Sequence, residues 1–285
     1  MSPLALGPEY GPERRHWLAS CAGCADFWFG DSDEAAVDDW RTHVDREHPP
    51  MPSPQLRDEE LLVSLTNVAG PHFEWAIWAV RGYWLGSRFS GAQFDRLGLA
   101  SDPLADPYPN AVTATDIVAV SMLGVNIPAI TTIDLLDHRA GEINHALSGV
   151  PNDPLHIVER AAIGPDSEAV KLWRMVRCRE QSMGRTKTAK LLARKRPALL
   201  PIYDQRIAGR LALPLDDWTW WWTWWQNPQH VQSIQNLRRA AANDSVGHGI
   251  AEVSLLRILD VAVWRYDRYW DQPPDRRASG KGIGR

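Results

Sequence analysis

The chain has 285 residues, with 31 Lys or Arg against 35 Asp or Glu, so its formal net charge at pH 7 is -4. No apolar run approaches the roughly 20 residues that a helix needs to span a bilayer. Acids and prolines interrupt the first residues, where a signal peptide needs an apolar segment. Three cysteines are too few for a disulfide framework. We therefore expect a folded, cytoplasmic protein.

Two pairs of metal-ligand residues lie in the first fifty residues. Cys21 and Cys24 are followed by His43 and His48, in the spacing C-x2-C-x18-H-x4-H. Four such ligands in two close pairs satisfy the tetrahedral coordination of Zn²⁺. We therefore predict a zinc-binding module over residues 1–50. The alternative is that the two pairs coincide by chance.

This module resembles the two-Cys, two-His zinc fingers, because Trp28 and Trp40 lie where that family has its core apolar residues. Its spacer of eighteen residues is longer than the family's, which is about twelve. Residues 31–47 contain seven acids, with Arg41 and Arg46 as counter-charges. Since phosphate binding requires cations, we expect this finger to be structural or to bind a protein.

Beyond residue 50 the sequence pattern is mainly helical. The proline-rich segment 48–54 favours extended chain and marks a domain boundary. Apolar residues then recur at the i, i+3, i+4 spacing of helices. We predict a mainly α fold, with a multi-helix domain over residues 51–271 beside the small zinc-finger-like module. The polar, basic tail 272–285 is predicted to be disordered.

The expected helices follow from this spacing, and a capping box from Thr113 to Asp116 marks the start of the third. The predicted ranges are 58–68, 72–85, 115–124, 131–147, 154–162, 166–181, 185–195, 204–212, 216–226, 228–242 and 251–270.

One segment is strongly cationic in an otherwise acidic chain. Residues 171–210 contain twelve Lys or Arg and two acids, Glu180 and Asp204. Because so many cations are rarely all buried, we predict a cationic surface that contacts nucleic-acid phosphates. The alternative is a solvated face without a ligand. The predicted nucleic-acid-binding residues are Arg185, Lys190, Arg194, Lys195, Arg196 and Arg206.

Residues 184–210 resemble the helix-hairpin-helix superfamily of base-excision DNA glycosylases. Gly184, Arg185 and the run 187–189 (Lys-Thr-Ala) match a GVGRKTA-like segment, and 202–204 (Ile-Tyr-Asp) match a VDTH-like segment. The resemblance implies that Asp204 is the essential acid of N-glycosidic bond cleavage and that Lys187 is the Schiff-base lysine of bifunctional members. The chain departs from the pattern at the inserted Thr186 and in lacking the iron-sulfur cysteines of some members.

A second resemblance covers more of the chain. The segments KLLARKRPALLPIYD at 190–204 and VSLLRILDVAVW at 253–264 resemble an uncharacterised family of bacterial proteins. This resemblance implies no function.

The role of Asp204 remains open among three alternatives. An Asp directly before a helix is a common N-cap, and an acid among cations is also a candidate for catalysis or ligand binding. The corresponding functions are a DNA-binding, glycosylase-like protein, a non-catalytic interaction or regulatory protein, and an enzyme for a small phosphorylated ligand. The last requires a pocket too narrow for a duplex.

Six of the fifteen tryptophans lie between Trp218 and Trp225. Their spacing places Trp218, Trp221, Trp222 and Trp225 on one helix face, which we expect to be buried. Trp220 and Trp224 are expected outside, available to stack on unpaired bases or to contact a partner.

Overall fold

In the computed structural model, the described residues are 58–85, 89–98, 106–178, 182–214, 217–243 and 248–271, together with three strands between residues 7 and 30. This part of the chain is mainly helical, as the apolar spacing predicts. The predicted zinc ligands Cys21, Cys24, His43 and His48 lie outside the described residues, and so does the tail 272–285.

Three short strands form an antiparallel sheet in the order β1 (Gly7–Tyr10), β2 (Arg15–Ser20) and β3 (Phe27–Gly30). Gly7 pairs with Leu18, and Ser20 pairs with Phe27. The sequence analysis did not predict this sheet. The aromatic run of β3, typical of strands, is the sequence signal that indicates one.

Eleven α-helices follow among the described residues. They are α1 (Asp58–Thr66), α2 (Phe73–Leu85), α3 (Ala114–Ser121), α4 (Ala129–Ile133), α5 (Ala140–Ser148), α6 (Glu168–Val176), α7 (Arg185–Lys195), α8 (Gln205–Arg210), α9 (Asp217–Trp225), α10 (Pro228–Ala241) and α11 (Leu255–Asp271).

Most predicted helices are confirmed with ends shifted by a few residues, and α7 has the predicted bounds. The helix predicted at 154–162 is wrong: only Arg160–Ala162 forms a short 3₁₀ turn, and the Leu155 amide bonds instead to the Ala198 carbonyl at 2.9 Å. The helix predicted at 131–147 is interrupted by a π turn at Asp134–His138.

Local capping explains several helix starts. The predicted capping box is confirmed, since Thr113 accepts from the Asp116 amide at 3.3 Å and Asp116 accepts from the Thr113 amide at 2.9 Å. Ser167 caps α6 by accepting from the Val170 amide at 3.1 Å. Such a cap typically contributes about 1 kcal/mol.

The core lies where α2 and α11 pack against each other and against α1 and α10. Two large aromatic side chains mark its centre, Trp75 of α2 and Tyr266 of α11, whose rings meet edge to face at 6.1 Å. Helix α7 packs against α3 and α6, while α8 packs against α11. This arrangement brings α7, α8 and α11 together around one cavity.

Four of the six tryptophans of α9 are buried. Trp218, Trp221 and Trp225 are buried as predicted. The exposed position expected for Trp224 is wrong, because its indole is buried and stacks on His230 with ring centroids 4.2 Å apart. Trp220 is half-buried, and so is Trp222, which was expected to be buried.

Among the described residues, no helix combines the length and the apolar character that crossing a membrane requires.

Candidate functional site

A cavity of about 510 Å³ lies between α7, α8 and α11, with contributions from α2 and from the turns at 89–91 and 122–124. This volume is in the range of small-molecule pockets. Its lining combines aromatic and aliphatic side chains with an unusual number of charges. The charged lining residues are Lys190, Asp204, Arg206, Arg257, Asp260 and Arg268.

Asp204 is both a helix cap and part of the cavity wall. It is the N-cap of α8, and its Oδ1 accepts a hydrogen bond from the Arg206 amide at 2.9 Å. Its Oδ2 lies 3.7 Å from the Lys190 ammonium. The capping role is therefore confirmed. It leaves one carboxylate oxygen directed to the lysine beside the cavity.

Lys190 lies in the buried part of the cavity. Its side chain, 6% exposed, donates to the Leu123 carbonyl at 3.0 Å in addition to its ion pair with Asp204. Burial lowers the pKa of Lys190, and the charge of Asp204 counteracts that effect. The Lys190 ammonium therefore contacts one carboxylate and one carbonyl. A change in either partner should change the pKa of Lys190.

Arg257 of α11 connects the cavity to the core. Its Nε lies 3.1 Å from both carboxylate oxygens of Asp95, and another guanidinium nitrogen donates to Asp260. The third nitrogen donates to the Tyr83 hydroxyl at 2.6 Å and to the Gly91 carbonyl at 3.3 Å. One buried guanidinium is therefore shared by two carboxylates, a phenol and a backbone carbonyl.

Gly91 is required by this arrangement. A Cβ added at Gly91 would lie 2.1 Å from the Tyr83 hydroxyl oxygen, a distance at which something must move. The absence of a side chain at this position allows Tyr83 to reach Arg257.

Burial changes the protonation of the acids around Arg257. It raises the pKa of Asp260 to about 6; the charge of Arg257 opposes the rise and that of Asp204 adds to it. Burial also raises the pKa of Asp95, again against the effect of Arg257. For Tyr83, burial raises the pKa to about 12. Asp260 thus titrates close to neutral pH inside the cavity.

Two arginines line the more open part of the cavity. Arg206 of α8 donates from Nε to Asp267 at 2.7 Å, and its side chain is 40% exposed. Arg268 of α11 lies over the ring of Trp264, 5.5 Å from the centroid. Both reach the same cavity from different helices.

The predicted cationic surface is largely wrong, because the structure buries four of its six residues. Lys190, Arg194, Lys195 and Arg196 are each 5% exposed or less. We expected these cations on a surface because so many are rarely buried together, yet residues 188–195 of α7 are buried.

The buried cations each have acceptors from distant parts of the chain. Arg194 bonds to Asp116 at 3.2 Å and to the carbonyls of Phe94 and Leu97. Lys195 bonds to Asp106 and, at 3.1 Å, to the same Asp116.

Arg196 is held entirely by neutral acceptors. It donates to the Leu147, Pro109 and Val150 carbonyls at 2.6, 2.7 and 3.0 Å, and to the Asn110 side chain at 2.8 Å. The basic run at 194–196 therefore has a structural role, because its hydrogen bonds connect α7 to the segments around it.

The remaining predicted residues are more accessible. Arg185 pairs with Asp217 at 2.7 Å and lies over the Tyr203 ring at 3.8 Å. Arg206 is exposed beside the cavity. Lys187 is half-buried and does not line the cavity, so the lysine next to Asp204 is Lys190 rather than Lys187.

The structure also assigns to the cavity residues that the sequence analysis missed. Arg257, Asp260, Trp264 and Arg268 recur at helical spacing on one face of α11. Arg257 and Asp260 are the two charges inside the apolar run VSLLRILDVAVW. They could have indicated the site from the sequence, since a charge on a buried helix face needs a partner.

Across the described part of the chain, no cluster of three or more His, Cys, Asp or Glu side chains is arranged to hold a metal ion.

Comparison with known proteins gives one match. A family model described as "Family of unknown function (DUF6308)" matches residues 76–267, which span more than half of the chain and include every charged residue of the cavity except Arg268. This confirms the resemblance to a family without an assigned function. No curated protein matches, and no solved structure matches.

Proposed function

The chain belongs to the family of unknown function DUF6308, and we propose from its own geometry that it is an enzyme acting on a small molecule in the cavity. Asp204, Lys190 and Asp260 form its proton-transfer group. The observation that carries the proposal is their meeting in one cavity, with Lys190 and Asp204 3.7 Å apart. A carboxyl group with a raised pKa in a concave site, as Asp260 has here, is a candidate for catalysis.

The carboxyl groups of Asp204 and Asp260 have different environments, and we assign them different roles in proton transfer. Asp260, with its pKa raised to about 6, is the proton donor, since a general acid works best when its pKa lies near the working pH. Asp204 is the carboxylate that accepts a proton or stabilises positive charge on the substrate. Lys190 is its counter-ion and holds its free oxygen in place.

The test is turnover of a panel of chromogenic phosphomonoesters, carboxylic esters and glycosides. We expect at least one class to be hydrolysed, with kcat falling as the pH rises through about 6 because Asp260 loses its proton. Asp204→Asn keeps an equally good N-cap, so it should fold normally and lose at least about 100-fold in kcat.

The matched control is Asp153→Asn, which makes the same change at an exposed acid outside the cavity. Equal activity of Asp204→Asn and wild type would contradict the proposal. So would a complete absence of turnover over the panel.

A second candidate is the cleavage of N-glycosidic bonds in nucleic acid. It is supported by the position of Asp204 directly before α8, which is where the resemblance to DNA glycosylases places the essential acid; the lysine opposite Asp204 is Lys190, however, and not the Lys187 that the resemblance matches. It predicts duplex binding that weakens steeply with salt and cleavage of lesion-containing duplexes that Asp204→Asn abolishes. Salt-independent or absent binding would leave the small-molecule proposal and the non-catalytic interaction role.

We also propose that residues 1–50 bind Zn²⁺ through Cys21, Cys24, His43 and His48. The ligand spacing supports this, and so does the pairing of Ser20 with Phe27, since these two residues bracket the segment that contains both cysteines. Zinc fingers commonly place a Cys pair between two antiparallel strands. Metal analysis should find one zinc per chain, reduced in Cys24→Ser and unchanged in Cys178→Ser.

A further inference from the structure

Arg268 differs from the other cations of the cavity. Lys190 is paired with Asp204, Arg206 with Asp267, and Arg257 with two carboxylates. Within the described ranges, by contrast, the guanidinium of Arg268 has only a ring contact, with Trp264.

The cavity therefore contains one positive charge that no described carboxylate balances. A guanidinium presents its N–H donors in a planar fork that matches a carboxylate or a phosphate. Arg206 lines the same cavity with a side chain that is 40% exposed. A ligand with one anionic group satisfies this charge, while a neutral or cationic ligand does not.

The wall next to Arg268 is aromatic. Phe89 and Trp264 meet edge to face with centroids 6.0 Å apart, and Phe89 stacks on Tyr83 at 5.5 Å. All three rings line the cavity, together with aliphatic side chains such as Leu123 and Val261. Such a wall favours a flat, apolar ligand body, because aromatic pairs contribute beyond the area that they bury.

We propose that the cavity binds a small molecule that has a single carboxylate or phosphate joined to a planar ring, with the anion at Arg268 and the ring against Phe89 and Trp264. This inference rests on the proposed function, since it names the class of ligand for the same cavity. The proton-transfer group lines the same cavity, with Lys190 buried and Asp204 half-buried.

The experiment is calorimetric titration of the full chain with phenyl phosphate and with benzoate. These two probes separate the phosphate and carboxylate forms of the anion. Inorganic phosphate lacks the ring and benzyl alcohol lacks the charge, so both should bind at least about tenfold more weakly than the better of the two probes, which corresponds to ~1.4 kcal/mol.

Variants locate the binding site. Arg268→Gln should weaken binding of the better probe about tenfold, and Arg268→Lys should recover only part of it because the planar fork is lost. Phe89→Leu should weaken binding of phenyl phosphate or benzoate without changing that of inorganic phosphate. Arg160→Gln, the same change at an exposed arginine outside the cavity, should have no effect.

Three outcomes overturn the inference: neither probe binds, inorganic phosphate binds as well as both, or Arg268→Gln binds as well as wild type. Turnover in the substrate panel that neither probe inhibits would also overturn it, while the proposed function would stand. Binding with the expected variant effects but without any turnover would support the ligand class and contradict the proposed enzyme.

Discussion

Lys190 and Asp204 lie 3.7 Å apart although one belongs to the middle of α7 and the other caps α8. Helix α7 ends at Lys195, two residues before Pro197, which cannot continue a helix. The amides of Leu199 and Leu200 then bond to the Arg196 carbonyl and fold the chain into a tight turn. This short return brings the lysine and the carboxylate to the same side of the cavity. Asp260 of α11 completes the group from a different part of the chain.

The first prediction concerns the coupling of the three charges. The negative charge of Asp204 raises the pKa of Asp260, and the positive charge of Lys190 lowers it. Asp204→Asn should therefore move the midpoint of Asp260 below about 6, and Lys190→Met should move it upward. Carboxyl ¹³C chemical shifts followed over pH measure both midpoints. Shifts in the same direction for the two variants would contradict the proposed geometry.

A second prediction links Asp260 to stability. Its folded-state pKa of about 6 exceeds the ordinary value of 3.8, so between these values the folded protein binds a proton that the unfolded chain releases. The free energy of unfolding should therefore fall as the pH rises from about 4 to 6, by at most ~1.4 kcal/mol per pH unit from this group.

Urea denaturation from pH 4 to 7 measures this dependence. Asp260→Asn should remove the contribution of Asp260 to the pH dependence of the free energy of unfolding. Loss of the bond to Arg257 should change the free energy of unfolding by a constant amount and leave this pH dependence unaffected. Asp153→Asn should keep the slope of wild type. If both variants followed the wild-type slope, Asp260 would not titrate in this window.

The third prediction tests whether Arg196 is structural. Arg196→Met removes the donors from three backbone carbonyls and one amide side chain. Buried acceptors left without partners each cost about 1–3 kcal/mol, so the free energy of unfolding should fall by at least ~3 kcal/mol. Arg160→Met, at an exposed position, should change it by less than about 0.5 kcal/mol. Equal, small effects of the two substitutions would contradict the structural role of Arg196.

The fourth prediction concerns the close approach at Gly91. Gly91→Ala places a Cβ against the Tyr83 hydroxyl and should push it away from Arg257, at a cost of about 1–3 kcal/mol. Urea denaturation of Gly91→Ala and wild type measures this loss of stability. Gly141→Ala is the control, because a Cβ there has no atom within 4 Å and alanine favours its helix.

The sequence predicted more of the local structure than of the site. Helix α7 was expected at its observed bounds, and the capping box at Thr113 was expected from its pattern, because both depend on neighbours along the chain. Asp204 was identified as a cap or a functional acid, and it both caps α8 and lines the cavity. The resemblance to DNA glycosylases pointed to Lys187 as the catalytic lysine, whereas the lysine that pairs with Asp204 is Lys190.

The sequence by itself determined the mainly helical class of the described chain, most helix positions, and the importance of the segment around Asp204. Only the tertiary structure decided that the cations Arg194, Lys195 and Arg196 are buried and that Asp260 and Arg268 share a cavity with Asp204. Periodicity and capping act over a few residues. A buried charge, however, depends on acceptors 46 to 100 residues away, which no local pattern reveals.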